Sequence, residues 1–303
     1  MKEKPMEKLF GKYEVLPLEK GAGEIFEKKI DDYNDTVVPP AADAPEDEEL
    51  VLKITDQDGN IIAGCLCDIY NWNFMDLDVL WVDEKYRRQG LGSMLIRAAE
   101  QAAKDRGLYM IVLGTFDFQA RPLYEKHGYT VQGVREDWPR GHCNYSLSKH
   151  LSEGLSDYVP TDHSAWEKYT VEIGTEEDAE VICDGLSAYN DSIAPDEHDY
   201  IRLNKKVLNE NGDVIAGIVA GVGGWNDGAV HHLWVEEPYR NQGIGTYLLQ
   251  EAEKEMRENG AYMIMVTAFD WAADFFTKQG YEIKGTLEDL PQGHREYDLR
   301  KTL

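Results

Sequence analysis

Two short runs hold the residue types best suited to chemistry. Arg87-Arg88-Gln89-Gly90-Leu91-Gly92, followed by Ser93, and Arg240-Asn241-Gln242-Gly243-Ile244-Gly245, followed by Thr246, each stand between an apolar strand-like stretch and a helix-like one. Glycine lacks a Cβ, so backbone N–H groups at such a turn can close on a ligand, and the start of a helix adds partial positive charge. That is what a pyrophosphate needs. Other phosphate motifs fit less well: the dinucleotide fingerprint wants a third glycine, which GLGSML and GIGTYL lack, and the P-loop wants Gly-Lys-Ser/Thr, found in neither run. A lone Gly-x-Gly is often only a tight turn, but the full Arg-x-x-Gly-x-Gly follows Leu-Trp-Val both times.

The two runs belong to a longer internal repeat. Residues 80–95, LWVDEKYRRQGLGSML, match residues 233–248, LWVEEPYRNQGIGTYL, at ten of sixteen positions with an offset of 153. EDWPRGHCNYSLSK (136–149) matches EDLPQGHREYDLRK (288–301) at eight of fourteen, and Tyr33-Asn34-Asp35 matches Tyr189-Asn190-Asp191 at offset 156. A period this long excludes a solenoid, whose units run to roughly 20–50 residues. The reading is two copies of one domain, residues 1–151 and 166–303, joined by a polar linker over 152–165 that contains Gly154 and Pro160.

Each copy reads as a strand (Tyr13 to Leu16; Tyr169 to Ile173), helical sequence ending near YND, and a hairpin turning at Gln57-Asp58-Gly59 or Asn209 to Gly212. A strand ending in Leu80-Trp81-Val82 or Leu233-Trp234-Val235 then enters the glycine turn. The helix that follows spans Ser93 to Arg106 or Thr246 to Asn259 and stops at Gly107 or Gly260. A buried strand, a short helix (Arg121 to His127; Asp274 to Gln279) and two last strands complete the copy. Alternating strands and helices imply an α/β fold, a mixed sheet flanked by helices.

Composition bounds the partners. The 303 residues carry 31 Lys+Arg against 57 Asp+Glu, a net charge of −26, with 42% hydrophobic and 11% aromatic residues. The apolar material suffices for packed cores, and the charge repels phosphate backbones and anionic lipids. Nucleic acid and membrane are therefore not expected as partners, and with neither a signal peptide nor an ~18-residue apolar span a cytoplasmic address is expected. Four cysteines, two of them at Cys65 and Cys67, match neither a disulfide framework nor a zinc spacing, so no metal is expected.

Arg-x-x-Gly-x-Gly after a strand, with Tyr124-Glu125-Lys126-His127-Gly128-Tyr129 some thirty-five residues on, resembles the GNAT superfamily of acetyl-CoA-dependent N-acetyltransferases. TFDFQARPLYEKHGY and EDWPRGHCNYSLSK strengthen the likeness, which spans both halves. It implies a sheet splayed at the strand ending in Val82. Pantetheine of acetyl-CoA would pair with Leu80, Trp81 and Val82 (Leu233, Trp234 and Val235 in copy two), and pyrophosphate would lie on the turn Arg87 to Ser93 (Arg240 to Thr246).

The resemblance also implies direct attack of an amine on the thioester in a ternary complex. An amine of pKa near 10.4 must be neutral to attack, which at pH 7 corresponds to about 4.6 kcal/mol. A general base must take its proton and the thiolate must be stabilised. Tyr124 occupies the place of the family's thiolate-protonating tyrosine. Asp78, on the strand leading to Leu80, is the favoured base by position; Asp76 shares its face, and Glu84 reads as part of the turn. Copy two departs from this pattern: Phe276 stands opposite Tyr124, Trp271 opposite Gln119, and His231, beside His232, opposite Asp78. Copy one is therefore read as catalytic and copy two as altered. The acceptor is expected to be a small cationic amine: a polyamine, an aminoglycoside-like antibiotic or an amino-acid derivative. The alternative is a non-catalytic acyl-CoA-binding or sensing protein in which copy two is a structural partner. The molecule is expected to be a monomer with an internal pseudo-dimer, or a homodimer.

Further residues divide by role. His142 and His294, in the Pro-x-Gly-His turns, read as structural. Asn34 and Asn190 suit either capping or substrate contact. Trp72 and Trp225 suit core packing more than a cleft wall, and Glu46-Asp47-Glu48-Glu49 reads as a solvated loop.

Overall fold

The computed structural model describes residues 7–9, 11–19, 21–40 and 47–303. The strands are β1 (Glu7–Leu9), β2 (Tyr13–Pro17), β3 (Glu48–Thr55), β4 (Ile61–Tyr70), β5 (Phe74–Val82), β6 (Met110–Phe116), β7 (Thr130–Glu136), β8 (Cys143–His150), β9 (Glu172–Ile173), β10 (Ile201–Arg202), β11 (Lys205–Leu208), β12 (Val214–Val222), β13 (Asp227–Val235), β14 (Met263–Phe269), β15 (Glu282–Glu288) and β16 (Arg295–Thr302). The helices are α1 (Glu24–Val37), α2 (Leu91–Asp105), α3 (Arg121–Lys126), α4 (Glu176–Asp191), α5 (Ile244–Glu258) and α6 (Asp270–Lys278).

Local chemistry explains the main elements. In the β3–β4 hairpin, Asp56 Oδ1 accepts from the N–H groups of Asp58 and Asn60, both at 2.9 Å, and Gly59 takes φ +84°. Asn209 repeats this for β11–β12, accepting from the N–H groups of Asn211 and Asp213, with Gly212 at φ +86°. On α2 the buried residues Leu91, Leu95, Ile96, Ala99 and Ala103 form one face, as do Ile244, Leu248, Leu249, Ala252 and Met256 on α5. Gly107 and Gly260, at φ +74° and +91°, end these helices in the left-handed region that glycine adopts at least cost. α6 begins at Asp270, four residues before the expected start at Asp274.

The chain forms two compact units, divided differently from the sequence repeat. One holds the described residues up to Pro39 with Asp196–Lys284 and Glu296–Leu303; the other holds those from Pro40 to Pro195 with Gly285–Arg295. They are called here the His231 unit and the Asp78 unit. In the His231 unit β2, from the start of the chain, pairs with β11, Lys205 opposite Pro17, and α1 packs on β12 and β13. In the Asp78 unit β9 pairs with β3, Leu52 opposite Ile173, and α4 packs on β3, β4 and β5. The opening strand and helix of each repeat thus serve the sheet of the other.

Glycines make room for the exchanged helices. Gly64, opposite Trp81, lies where a Cβ would overlap Ile182 of α4, and Gly217, opposite Trp234, lies where one would overlap Phe26 of α1. Ile182 and Phe26 are both fully buried. The strand order in the Asp78 unit is β9-β3-β4-β5-β6-β8-β7, with β5 and β6 the parallel pair; in the His231 unit it is β1-β2-β11-β12-β13-β14-β16, with β13 and β14 parallel. Of the acidic run, Glu46 lies outside the described residues. Glu48 and Glu49 open β3, and Glu48 pairs with Arg106 at 2.8 Å, which corrects the loop expected there.

Candidate active site

β5 and β6 pair over only three steps, Phe74 with Met110, Met75 with Ile111 and Asp76 with Val112, and then part. β4 follows the other edge of β5 as far as Ala63 opposite Val82. Among the described residues no strand pairs with the β6-facing edge from Leu77 to Val82. β13 parts from β14 at the same step, after Ala229 opposite Met265, and continues along β12 to Val235. Each splay therefore offers a row of backbone donors and acceptors long enough for one extended chain.

A bulge marks both partings. Leu66 and Asp68 oppose Val79 and Asp76, so Leu77 and Asp78 share the single partner Cys67; Val219 and Ala220 oppose His232 and Val230, so His231 is the extra residue. Bulges bend a strand and re-aim its side chains. Asp78 and His231 are both exposed at this step.

The glycine turns agree in detail. After a short 3₁₀ turn (Glu84–Tyr86; Glu237–Tyr239), the Nε of Arg87 donates to Val82 O and that of Arg240 to Val235 O, each at 2.9 Å. Arg88 and Asn241 take φ +65° and +61°, and Gly90 and Gly243 take +90° and +84°. Among the described residues, no acceptor meets the backbone N–H groups of Arg88 to Ser93 or of Asn241 to Thr246. These are unsatisfied donors at a helix start, which suits an anion. The carbonyl side of the first turn is packed instead: Trp166 Nε1 donates to Gly90 O at 3.0 Å, Ala165 N donates to Gln89 O at 3.3 Å, and a Cβ on Gly90 would lie 2.8 Å from Trp166 Nε1. Leu91 and Ile244 sit in the cores, so only their backbones are available to a ligand. Ser93 Oγ is 3.0 Å from His127 Nε2.

Asp78 reaches solvent, yet desolvation by the surrounding protein raises its pKa. Asp68 is raised as well, by desolvation first and then by Asp78 and Glu49. The charges of Asp78 and Glu49 both act on Cys183 of α4, behind desolvation, so these carboxylates gather beside α4. Asp76 lies across from Asp68 in the same group. Tyr124, 5% exposed, packs edge-on against Tyr129, and burial raises its phenol well above its ordinary pKa, so it stays protonated.

In the His231 unit Phe276 takes the place of Tyr124, buried edge-on against Tyr281. Tyr200, which the sequence reading missed, brings its hydroxyl to 3.1 Å from His231 Nε2. The signal that could have found it is slight: one aromatic residue just ahead of β10, which pairs with β12. Desolvation lowers the pKa of His231, the neighbouring His232 lowers it further, and Asp227 opposes them.

The exchanged helices also hold the loop before α3 and the first turn of α6. Gln119 Nε2 donates to Asn190 Oδ1 at 2.9 Å, Tyr189 donates to Phe118 O at 2.7 Å, and the guanidinium of Arg87 lies 4.6 Å from the Tyr189 ring centre. In the other unit Trp271 Nε1 donates to Asn34 Oδ1 at 3.1 Å, and Arg240 lies over Tyr33 and Trp234. Asn34 and Asn190 therefore tie loops together. His142 Nδ1 is 2.9 Å from Asp117 Oδ1, a structural contact, and Trp72 packs with Phe74, Met110 and Leu290. Cys65 and Cys67 are buried free thiols.

Residues 18–129 and 161–281, together well over half the chain, match the Acetyltransferase (GNAT) family. The chain belongs to that family. Both GNAT copies are matched, each including its glycine turn, and the membership makes the protein an acyltransferase. The chain is 37% identical over 91 residues to a blasticidin-S acetyltransferase of Streptomyces morookaense, covering 30% of this chain and 67% of that one. It is 35% identical over 69 residues to an uncharacterized N-acetyltransferase, YjcF, of Bacillus subtilis, covering 22% of this chain and 49% of that one. Among solved structures it is similar to an acetyltransferase from Bacillus cereus, at 34% identity over 45% of this chain and 96% of that one, with a TM-score of 0.43. Among the described residues no helix is long and apolar enough to cross a membrane.

Proposed function

We propose that the Asp78 unit transfers an acetyl group from acetyl-CoA to the amine of a small cationic acceptor. The observation that carries this is the coincidence, at one splay, of an unpaired strand edge, a turn of unsatisfied N–H groups and the carboxylates around Asp78. The edge of Leu80, Trp81 and Val82 would hold pantetheine and the amides of Arg88 to Ser93 the pyrophosphate. Acetyl-CoA supplies the activated acetyl group as a thioester.

The chain's own residues do the rest. Asp68, Asp76 and Glu49 attract a cation to Asp78 through charge in a partly desolvated place, where Coulomb attraction is stronger than in water. Asp78 takes the proton that the amine must lose; its raised pKa makes it a better base than an ordinary carboxylate. Tyr124, held protonated by burial, supplies the proton to the departing sulfur.

The test is acetyl-CoA turnover, read as thiol release, against a panel of polyamines, aminoglycosides and blasticidin S. The expected result is turnover of at least one cationic amine, lowered about 10²–10⁴-fold in Asp78→Asn. Binding of acetyl-CoA with no turnover of any amine would favour the sensing protein instead.

A further inference from the structure

Three carboxylates near Asp78 have counterparts in the His231 unit, fixed by register. Glu49 pairs with Asp68 where Arg202 pairs with Gly221, and Asp76 lies two residues before Asp78 where Ala229 lies two before His231. The acidic residues Glu49, Asp68 and Asp76 thus become Arg202, Gly221 and Ala229. Two negative charges are lost and one is reversed. The cofactor half is retained: splay, bulge, Arg–carbonyl bond, left-handed turn and unsatisfied amides are the same in both units.

We propose that the His231 unit is a second acetyl-transfer centre, in which Tyr200 and His231 handle the proton and Arg202 selects an amine that carries its own carboxylate. This rests on the acetyl-transfer reading of the Asp78 unit and assigns the second site a different acceptor class. With Nδ1 carrying its hydrogen, His231 Nε2 accepts from the Tyr200 hydroxyl at 3.1 Å. The amine, neutral on arrival, forms its C–N bond to the acetyl carbon with the nitrogen lone pair. The C–S bond breaks with its electron pair going to sulfur. The N–H proton passes to Tyr200 as the phenol proton passes to His231, and the imidazolium returns it through solvent to the thiolate, giving amide and free thiol. Phe276 cannot donate a proton, so the route through Tyr200 and His231 replaces the one through Tyr124. Desolvation by the surrounding protein lowers the pKa of His231, which favours the neutral imidazole that accepts. Asp227 and Glu27 also act on His231 and His232, so the surround is mixed in sign where that of Asp78 is acidic.

The experiment is thiol release from acetyl-CoA with two probe sets, spermidine for the cationic class and the standard amino acids with their dipeptides for the carboxylate-bearing class. It uses the full chain as wild type, Asp78→Asn, His231→Gln, Tyr200→Phe and Arg202→Glu. Turnover of a carboxylate-bearing amine should persist in Asp78→Asn within twofold, fall about 10²-fold in His231→Gln and fall also in Tyr200→Phe. Arg202→Glu should raise the KM for that amine about tenfold, with kcat within twofold and spermidine turnover unchanged. Because Arg202 is exposed on a short strand, an unchanged spermidine rate also shows that the variant folds. A wild type that acetylates spermidine but no carboxylate-bearing amine overturns this inference and leaves the Asp78 reading intact. Loss of both activities together in Asp78→Asn overturns it too, and no turnover of any amine overturns both readings.

Discussion

Beneath the two glycine turns lie two ion pairs, one buried and one partly exposed. In the Asp78 unit Lys149 Nζ is 2.8 Å from Glu100 Oε1 and donates to His127 O, and in the His231 unit Lys301 Nζ is 2.6 Å from Glu253 Oε2 and donates to Gln279 O. Each carboxylate belongs to the helix that follows the turn, and each lysine to the last strand of its repeat. The residue whose carbonyl accepts from the lysine differs, His127 against Gln279, and the pair itself is 4% and 0% exposed in one unit against 26% and 11% in the other. Between the units the support of the glycine turn is kept while its burial has drifted. The face around the bulge changes more sharply, from carboxylates to Arg202. On the proposed reading, copies that share one cofactor constrain the half that holds it and leave the other half free to diverge.

Four substitutions probe this contrast. Lys149→Met leaves the buried carboxylate of Glu100 without its cation, with the Ser156 N–H still donating to it, and should cost about 3–5 kcal/mol, against a smaller loss for Lys301→Met, whose partner keeps some solvent. The check is the urea midpoint of each variant; equal shifts would mean that burial does not distinguish the two pairs.

His127 comes next. It is 1% exposed, and burial, with Lys149 and Arg97 beside it, lowers its pKa from 6.5 to about 4. A base depressed in the folded state contributes full stability above pH 6.5 and loses it as the pH falls toward 4, because the unfolded chain then binds the proton more readily. About 2.5 units at 1.36 kcal/mol each make this about 3 kcal/mol. His127→Gln, which copies the other unit, should flatten the decline in stability between pH 6.5 and 4, measured by denaturation across that range. An unchanged decline would assign the acid sensitivity elsewhere.

Tyr124→Phe copies Phe276 in the same way. Its kcat with a cationic amine should fall about 10–10²-fold with the amine KM unmoved, since the phenol assists departure of sulfur and does not bind the acceptor. A change in KM alone would move Tyr124 from proton donor to cleft wall.

Much of this was legible from residues alone. The helices after the glycine turns start two residues before the positions expected at Ser93 and Thr246 and end one before Arg106 and Asn259, because apolar spacing and a terminal glycine mark both ends. The splay followed from the resemblance, and the strand pairings carry it. The exchange of opening segments was not legible. α1 and α4 have matching sequence because they share an origin, and their apolar faces, with Phe26 on one and Ala179 and Ile182 on the other, suit either sheet. Which sheet receives which helix depends on contacts far apart in sequence, such as Gly64 with Ile182, that periodicity does not encode. Tyr200 escaped for the same reason, since it meets His231 only once β10 pairs with β12.

The central claim, that both turns hold acetyl-CoA, is tested most directly by calorimetric titration of acetyl-CoA into the wild type and into Arg88→Glu and Asn241→Glu. These exchanges put a carboxylate on the amides of one turn at a time, and they spare Gly90, where any Cβ would press on Trp166. The account predicts two sites in the wild type and one in each variant. One site in the wild type, lost in Arg88→Glu and untouched by Asn241→Glu, would contradict it.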